Sequence, residues 1–143
     1  MHVKEILNKK GNQVVTIDPE KTIARAVNTL ANQNIGAIVV VDSSEKVIGL
    51  LAERDIIRGN ANHGTEVFAL RVKDLMVHEI YTCTPDDDIK DIMSTMTHRR
   101  VRHVPVVVGG KLIGIISIGD VVKNRLEETQ LEVSVLRDYA RSH

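Results

Sequence analysis

The chain has 143 residues, 43% hydrophobic and 27% charged, and its 19 basic and 19 acidic side chains cancel to a net charge of zero. That length holds one domain or two small halves sharing a core, and the zero charge argues against a global pull on nucleic acid or an anionic membrane. No apolar run approaches the ~20 residues of a membrane span, and the single cysteine, Cys83, excludes an intrachain disulfide. The opening Met1-His2-Val3-Lys4-Glu5 lacks a signal-peptide pattern and a lone thiol fits a reducing compartment, so a cytoplasmic location is expected. Phe68, Tyr81 and Tyr139 are the only aromatics, which leaves Val, Ile, Leu and Met to build the core.

Residues 3–7 read as a short helix, ended by the turn signal Lys9-Lys10-Gly11-Asn12. Residues 14–17 are extended and lead into Asp18-Pro19, where the proline disfavours helix before it. Ile23, Ala26, Val27 and Leu30 recur at helical spacing, and 34–36 ends that helix. Residues 37–41 form an apolar, β-branched run, the mark of a buried strand. A turn at 42–45 joins it to a second strand at 47–51, and together they make a hairpin. Residues 53–59 are predicted helical, with Ile56 and Ile57 buried. Residues 60–66 form a polar, turn-prone link.

The programme then starts again. Val72-Lys73-Asp74-Leu75-Met76 echoes Val3-Lys4-Glu5-Ile6-Leu7. Thr82 and Pro85 repeat Thr16 and Pro19 at an offset of 66, as Ile89, Met93 and Met96 repeat Ile23, Val27 and Leu30. A hairpin shortened by one residue at Gly109-Gly110 changes the offset to 65, which places Gly114 on Gly49 and Asp120 on Asp55. One register kept over most of each half is an internal repeat. Its order is helix, strand, helix, strand, strand, helix. Halves too small to close a core alone would pack about a pseudo-twofold axis, giving two related clefts with one aspartate in each.

Those aspartates close the most informative stretches. In Gly114-Ile115-Ile116-Ser117-Ile118-Gly119-Asp120 an apolar strand meets a helix start, where free N–H groups and the positive end of the helix dipole suit an anion. Helix capping by Ser117 or Asp120 is the simpler explanation of one such stretch. Gly49-Leu50-Leu51-Ala52-Glu53-Arg54-Asp55 is the second copy. The final segment, 121–143, carries Val122, Leu126, Thr129, Val133, Leu136 and Ala140 in a heptad-like stripe. This stripe folds back on its own domain or packs on a partner copy, because so short a coil cannot stand alone.

Two repeats, each opening on Thr-x-x-Pro and closing on Gly, two apolar residues, a small residue and a downstream Asp, resemble a tandem pair of cystathionine β-synthase (CBS) domains, or Bateman module. The resemblance spans about residues 3–125. It implies an α/β fold of two βαββα repeats packed about a pseudo-twofold axis, divided as 1–62 and 63–125, with 126–143 as an extended C-terminal helix. It implies binding of adenosine-containing ligands: AMP first, with ADP, ATP, S-adenosylmethionine or NAD(H) as alternatives. Asp120 would hold the ribose hydroxyls and Ser117 the phosphate, with Ile118 and Gly119 between them. Carboxylates accept bonds from a cis-diol and a hydroxyl donates to phosphate. Thr16 and Thr82 would lie near the base or ribose. Ile35-Gly36-Ala37 and Val101-Arg102-His103 would flank the base, with Pro105 just beyond the second set.

The first half departs from the pattern. Ala52 stands where Ser or Thr is expected, which removes that phosphate donor, while Asp55 keeps a ribose ligand and Arg54 could replace the charge. Unequal sites imply a smaller nucleotide at Ser117/Asp120 and a larger or weaker one at Asp55.

The basic run His98-Arg99-Arg100-Val101-Arg102-His103 suits a helix C-terminus. In the family context Arg102 and His103, and then Arg99 or Arg100, would meet phosphate. No aromatics interleave the run as nucleic-acid binding would need. The histidines at 2, 63, 78, 98, 103 and 143 lack metal-ligand spacing with Cys83. Asp86-Asp87-Asp88 opens a helix and reads as a cap. Cys83 reads as an inert thiol. No phosphate-loop or dinucleotide fingerprint is present.

The sequence therefore reads as a non-catalytic adenine-nucleotide sensor without membrane or nucleic-acid partners. It would act as a homodimer or through an unidentified regulated protein. A scaffold that has lost its ligand and a nucleotide-acting enzyme remain the alternatives.

Overall fold

The computed structural model describes residues 1–11 and 13–142; Asn12, in the predicted first turn, and His143 lie outside the described residues. Two antiparallel hairpins carry the architecture. β2 (Ala37–Val41) pairs with β3 (Val47–Ala52), and β1 (Thr16–Ile17) adds in parallel to β2, giving the order β1-β2-β3. β4 (His103–Val108) pairs with β5 (Lys111–Ser117) as a two-stranded sheet. In the second repeat the counterpart of β1 shrinks to one bridge, Cys83 to Val106, held by backbone bonds to Pro105 and Val107.

The registers obey the repeat. Ala37 faces Ala52 across the first ladder and His103 faces Ser117 across the second. The helices before the hairpins, α2 (Ile23–Gln33) and α5 (Ile89–Arg99), end on left-handed residues, Asn34 (φ 52°) and Arg100 (φ 55°). Each then returns a backbone N–H to the helix, Ile35 to Leu30 and Val101 to Met96. This tight reversal, rather than glycine, aims the 35–37 and 101–103 segments at the start of each hairpin. Thr22 caps α2 by accepting from the Arg25 N–H, and Asp88 caps α5 by accepting from the Lys90 N–H, as the aspartate run predicts.

Packing interleaves the repeats. α1 (Val3–Lys10) inserts Val3, Ile6 and Leu7 into a core with Cys83, Ile89, Ile92, Met96, Val104, Val106, Ile116 and Val121, all from the second repeat. α4 (Val72–Leu75) gives Val72 and Leu75 to the first repeat's core of Ile17, Ile23, Ala26, Leu30, Ile38, Val40 and Leu51. Each half thus completes its core with the helix that opens the other. Backbone bonds from Val3 to Asp87 and from Lys73 to Pro19 fasten the exchange.

Three readings are corrected, and the expected extended C-terminal helix is present. α1 runs three residues past the predicted 3–7, to Lys10, and Gly11 (φ 90°) ends it. The helix predicted at 53–59 is α3 (Glu53–His63), followed by a 3₁₀ turn at Gly64–Ala69, so 60–66 is no open link. Tertiary contact sustains it: a Cβ on Gly59 would lie 2.8 Å from Leu75 Cδ1 and 2.9 Å from Val67 Cγ2, so only glycine lets α3 approach this closely. Ile57 is 68% exposed and only Ile56 packs toward the core, since Ile57 lies about 100° further round the helix, on its outer side. The last helix of the second repeat and the expected extension are one element, α6 (Ile118–Ser142), of 25 residues. At 1.5 Å per residue it is about 37 Å long. Beyond Glu128 every described residue of α6 is exposed, so the stripe of Val133, Leu136 and Ala140 does not fold back on its own domain.

Candidate functional site

Each hairpin ends in a helix start closed by its own aspartate. The Asp120 carboxylate accepts from the Ser117 N–H at 2.9 Å, and the Asp120 N–H donates to Ser117 Oγ at 3.1 Å, a reciprocal capping box. Asp55 accepts from the Ala52 N–H at 2.9 Å, and with no hydroxyl at Ala52 the return bond cannot form. The capping reading of these residues is therefore correct for the backbone. It leaves the outer carboxylate oxygens Asp120 Oδ1 and Asp55 Oδ1 outside the cap.

Two clefts lie between the repeats; Asp55 lines the first, but Asp120, expected in the second, lines an adjoining groove instead. In the first, of about 390 Å³, Ala52, Arg54 and Asp55 from the first repeat meet Val101, Arg102 and His103 from the second, with Glu53, Glu79, Ile80 and Gly36 completing the wall. In the second, of about 290 Å³, Ile35, Gly36 and Ala37 from the first repeat meet Ile115 and Ser117 from the second, with Lys10, Val14, Val15 and His103. Both volumes are near the lower end for small-molecule sites. Gly36 and His103 line both clefts, and a Cβ on Gly36 would lie 3.7 Å from the His103 ring, so one thin wall divides them. Each cleft draws the hairpin start from one repeat and the aspartate junction from the other. Neither half could build one alone.

The electrostatics of the clefts differ. The first mixes Glu53, Asp55 and Glu79 with Arg54 and Arg102. The second has Lys10 and His103 and no acid on its wall. Asp120 sits at its edge in an adjoining groove, where the Lys10 ammonium lies 2.7 Å from its carboxylate and 2.9 Å from the Ile115 carbonyl. Burial would raise the Asp120 pKa, but the bonds from Lys10 and from the Ser117 N–H outweigh it and hold the carboxyl below its ordinary value. Burial, reinforced by Lys10 and only partly offset by Asp120, holds the His103 imidazole below 6.5, so the ring is mainly neutral at pH 7.

The remaining sequence-predicted residues divide. Arg54 lines the first cleft and donates from Nη2 to the Arg100 carbonyl at 3.1 Å, tying the repeats together. The Arg99 guanidinium stacks 4.7 Å over the Tyr81 ring instead. Arg100 serves as the helix terminator and lines neither cleft. Ile118 donates its N–H to the Arg102 carbonyl, and Gly119 lies in the first turn of α6. Pro105 is buried in β4 opposite Ile115 and lines neither cleft itself.

Thr16 lines a separate groove near the hairpin turns, with Val14, Ser44 and Lys111, and Thr82 is exposed and lines neither cleft. Sequence reasoning missed Lys10, Glu53 and Glu79. Glu53 adjoins a named motif and could have been found there; Lys10 and Glu79 carry no local signal. Burial, with the charge of Asp87 added, pushes the Cys83 thiol up to about 12, which keeps it protonated. Among the described residues no three His, Cys, Asp or Glu side chains are grouped to hold a metal, and no helix is long and apolar enough to cross a membrane.

A profile of the CBS domain matches residues 3–61 and 72–127, most of the chain in two tandem segments. The chain belongs to the CBS-domain family. This CBS pair is 31% identical to the mitochondrial CBS domain-containing protein CBSX3 of Arabidopsis thaliana, over 96% of this chain and 70% of that one. It is 30% identical to the CBS domain-containing protein YhcV of Bacillus subtilis, over 80% of each. The crystal structure of the CBS-domain protein ATU1752 from Agrobacterium tumefaciens superposes with a TM-score of 0.84 at 41% identity, covering 87% of this chain and 92% of that one. The CBS domain pair of protein MJ0100, solved with 5′-methylthioadenosine and S-adenosyl-L-methionine, shares the fold at a TM-score of 0.80 and 22% identity, covering 90% and 98%. Tandem CBS pairs are regulatory modules that bind adenosine-containing ligands. The observed α/β architecture of two small sheets matches theirs, and in this chain it carries the long helix α6.

Proposed function

We propose that this CBS pair is a non-catalytic sensor of adenine nucleotides. The carrying observation is the pair of clefts, each made from the hairpin start of one repeat and the aspartate junction of the other. In this reading Asp120 and Asp55 receive the ribose hydroxyls through their outer carboxylate oxygens. The Ser117 hydroxyl meets phosphate in the smaller cleft, and Arg54, Arg102 and His103 meet it in the larger. Gly36 and Val101, at the mouths of the hairpins, flank the base. AMP suits the smaller cleft, while ADP, ATP or NAD(H) suits the larger; the volumes of about 290 and 390 Å³ support that order. The complex of the MJ0100 pair with two adenosine derivatives supports the ligand class.

A ligand in either cleft touches both repeats, so it shifts their arrangement by its preference for one packing over another. The output passes to a regulated partner or through a homodimer in the cytoplasm. The exposed apolar stripe of α6 supports the second route, since an isolated helix of this length is marginal in water.

A thermal-shift series with AMP, ADP, ATP, S-adenosylmethionine and NADH tests the reading. Ligand at ~100 times its dissociation constant adds about 2.7 kcal/mol, on the order of 5–10 °C for a chain of this size. The expected result is a shift with at least one nucleotide that Asp120→Ala or Asp55→Ala removes. No shift with any of them would leave a scaffold whose clefts have lost their ligand.

A further inference from the structure

Lys10 ends α1 and reaches the smaller cleft from outside both hairpins. Its ammonium donates to Asp120 at 2.7 Å and to the Ile115 carbonyl at 2.9 Å. An ammonium has three N–H donors, so one remains for a ligand. In the register that sets Val72–Met76 on Val3–Leu7, the repeat-equivalent position is Glu79, which lines the larger cleft. Met76 answers instead to Leu7: its sulfur lies 2.7 Å from where a Cβ on Gly49 would stand, as Leu7 Cδ2 lies 2.6 Å from that of Gly114. The carbonyl equivalent to Ile115, that of Leu50, accepts from the Val77 backbone N–H at 2.9 Å instead of from a lysine. The two clefts are thus wired differently at one position: a cation in one, a carboxylate in the other.

The wall charges follow the same division. Three carboxylates, Glu53, Asp55 and Glu79, line the larger cleft beside Arg54 and Arg102, whereas the smaller has Lys10 on its wall and Asp120 in the adjoining groove. Lys10 and Ser117 line the same cavity, and Asp120 and Ile115 hold the ammonium in place before a ligand arrives. A cation fixed in this way loses little side-chain freedom on binding, and a charge-assisted bond to phosphate is stronger than a neutral one.

We infer that Lys10 makes the Ser117 cleft selective for adenosine ligands bearing a 5′-phosphate, and against their neutral thioether or cationic sulfonium counterparts. The inference rests on the nucleotide-binding reading above. Lys10 is a specificity residue here, and the first turn of the chain, outside both hairpins, decides which ligand the cleft reports.

The test uses the full chain carrying Asp55→Ala, so that the Ser117 cleft dominates, and isothermal titration with AMP, 5′-methylthioadenosine and S-adenosylmethionine. AMP and 5′-methylthioadenosine share adenine and ribose and differ in phosphate against methylthio. AMP is expected to bind about tenfold or more tighter. Lys10→Met, which removes the cation and keeps an unbranched stem, should close that gap by weakening AMP while 5′-methylthioadenosine still binds, a result that also reports an intact fold. Lys10→Arg should keep the gap. If Lys10→Met does not fold, Lys10→Gln makes the same test while retaining a hydrogen bond to Asp120. A gap that persists without the cation overturns the inference, as does equal binding of AMP and 5′-methylthioadenosine by the Asp55→Ala chain; both leave the nucleotide reading standing. Binding of none of the three by that chain or the native one overturns both.

Discussion

The Lys10 ammonium meets the Asp120 carboxylate at 2.7 Å across 110 positions of sequence. The contact joins the last turn of α1 to the first turn of α6, the two ends of the fold. It also places the junction aspartate in two roles, since the same oxygen that caps the backbone at Ser117 receives the lysine.

That double use sets a pH dependence. The folded pKa of Asp120 is depressed below the ordinary 3.8, so its contribution to stability is complete above that value and is lost as pH falls through the depressed one. Asp120→Asn cannot ionise. It should melt lower than the native chain near neutral pH, and the two curves should converge as the pH drops below the ordinary carboxylate range. Thermal melts across that range decide the matter; a gap that does not narrow in acid would remove the ionic contribution.

The exchanged helices make a sharper claim about the core. Ile6 is 4% exposed and, with Val3 and Leu7, packs into the core of the second repeat. Ile6→Ala should cost about 2–5 kcal/mol, as buried truncations of this kind do. Hydrogen exchange should quicken first in β4 and β5, whose core contains Ile6, and not in β2 and β3, although residue 6 belongs to the first repeat by sequence. Faster exchange in β2 and β3 alone would refute the packing.

Truncation after Asn124 removes the exposed part of α6. Val133 is 42% exposed and Leu136 68%, so the isolated chain loses little apolar burial. The ion pairs Lys9–Glu127 and Arg125–Glu128 are lost, but exposed pairs are worth at most about 1 kcal/mol. If α6 pairs between copies, light scattering should show the native chain near twice the mass of one chain and the truncated form near one. An unchanged ratio of measured mass to chain mass would place the pairing elsewhere.

Much of the fold was legible because its signals are local. The apolar run at 37–41 became β2 with those bounds, and the repeat offset found both hairpins. The aspartate junctions were legible too, since a strand followed by a helix needs a cap and Asp55 and Asp120 supply one. The reading of 60–66 as an open link failed because those polar residues carry turn propensity, while contacts of α3 with Val67 and Leu75 sustain helix and 3₁₀ turn there. Thr16 and Thr82 were read as one set with the aspartates, and the fold sets Thr16 in another groove.

The sequence by itself determined the repeat, the order of elements, and the two strand-to-helix junctions that carry Asp55 and Asp120. Each of these depends on side chains within a turn or a strand of one another. The tertiary structure alone decided which helix completes which core, that Gly36 and His103 share one wall, and that Lys10 rather than a neighbour in sequence faces Asp120. These depend on how two half-cores exclude water together. A half that cannot bury its own apolar face takes a helix from its twin, and that exchange carries Lys10 to the cleft.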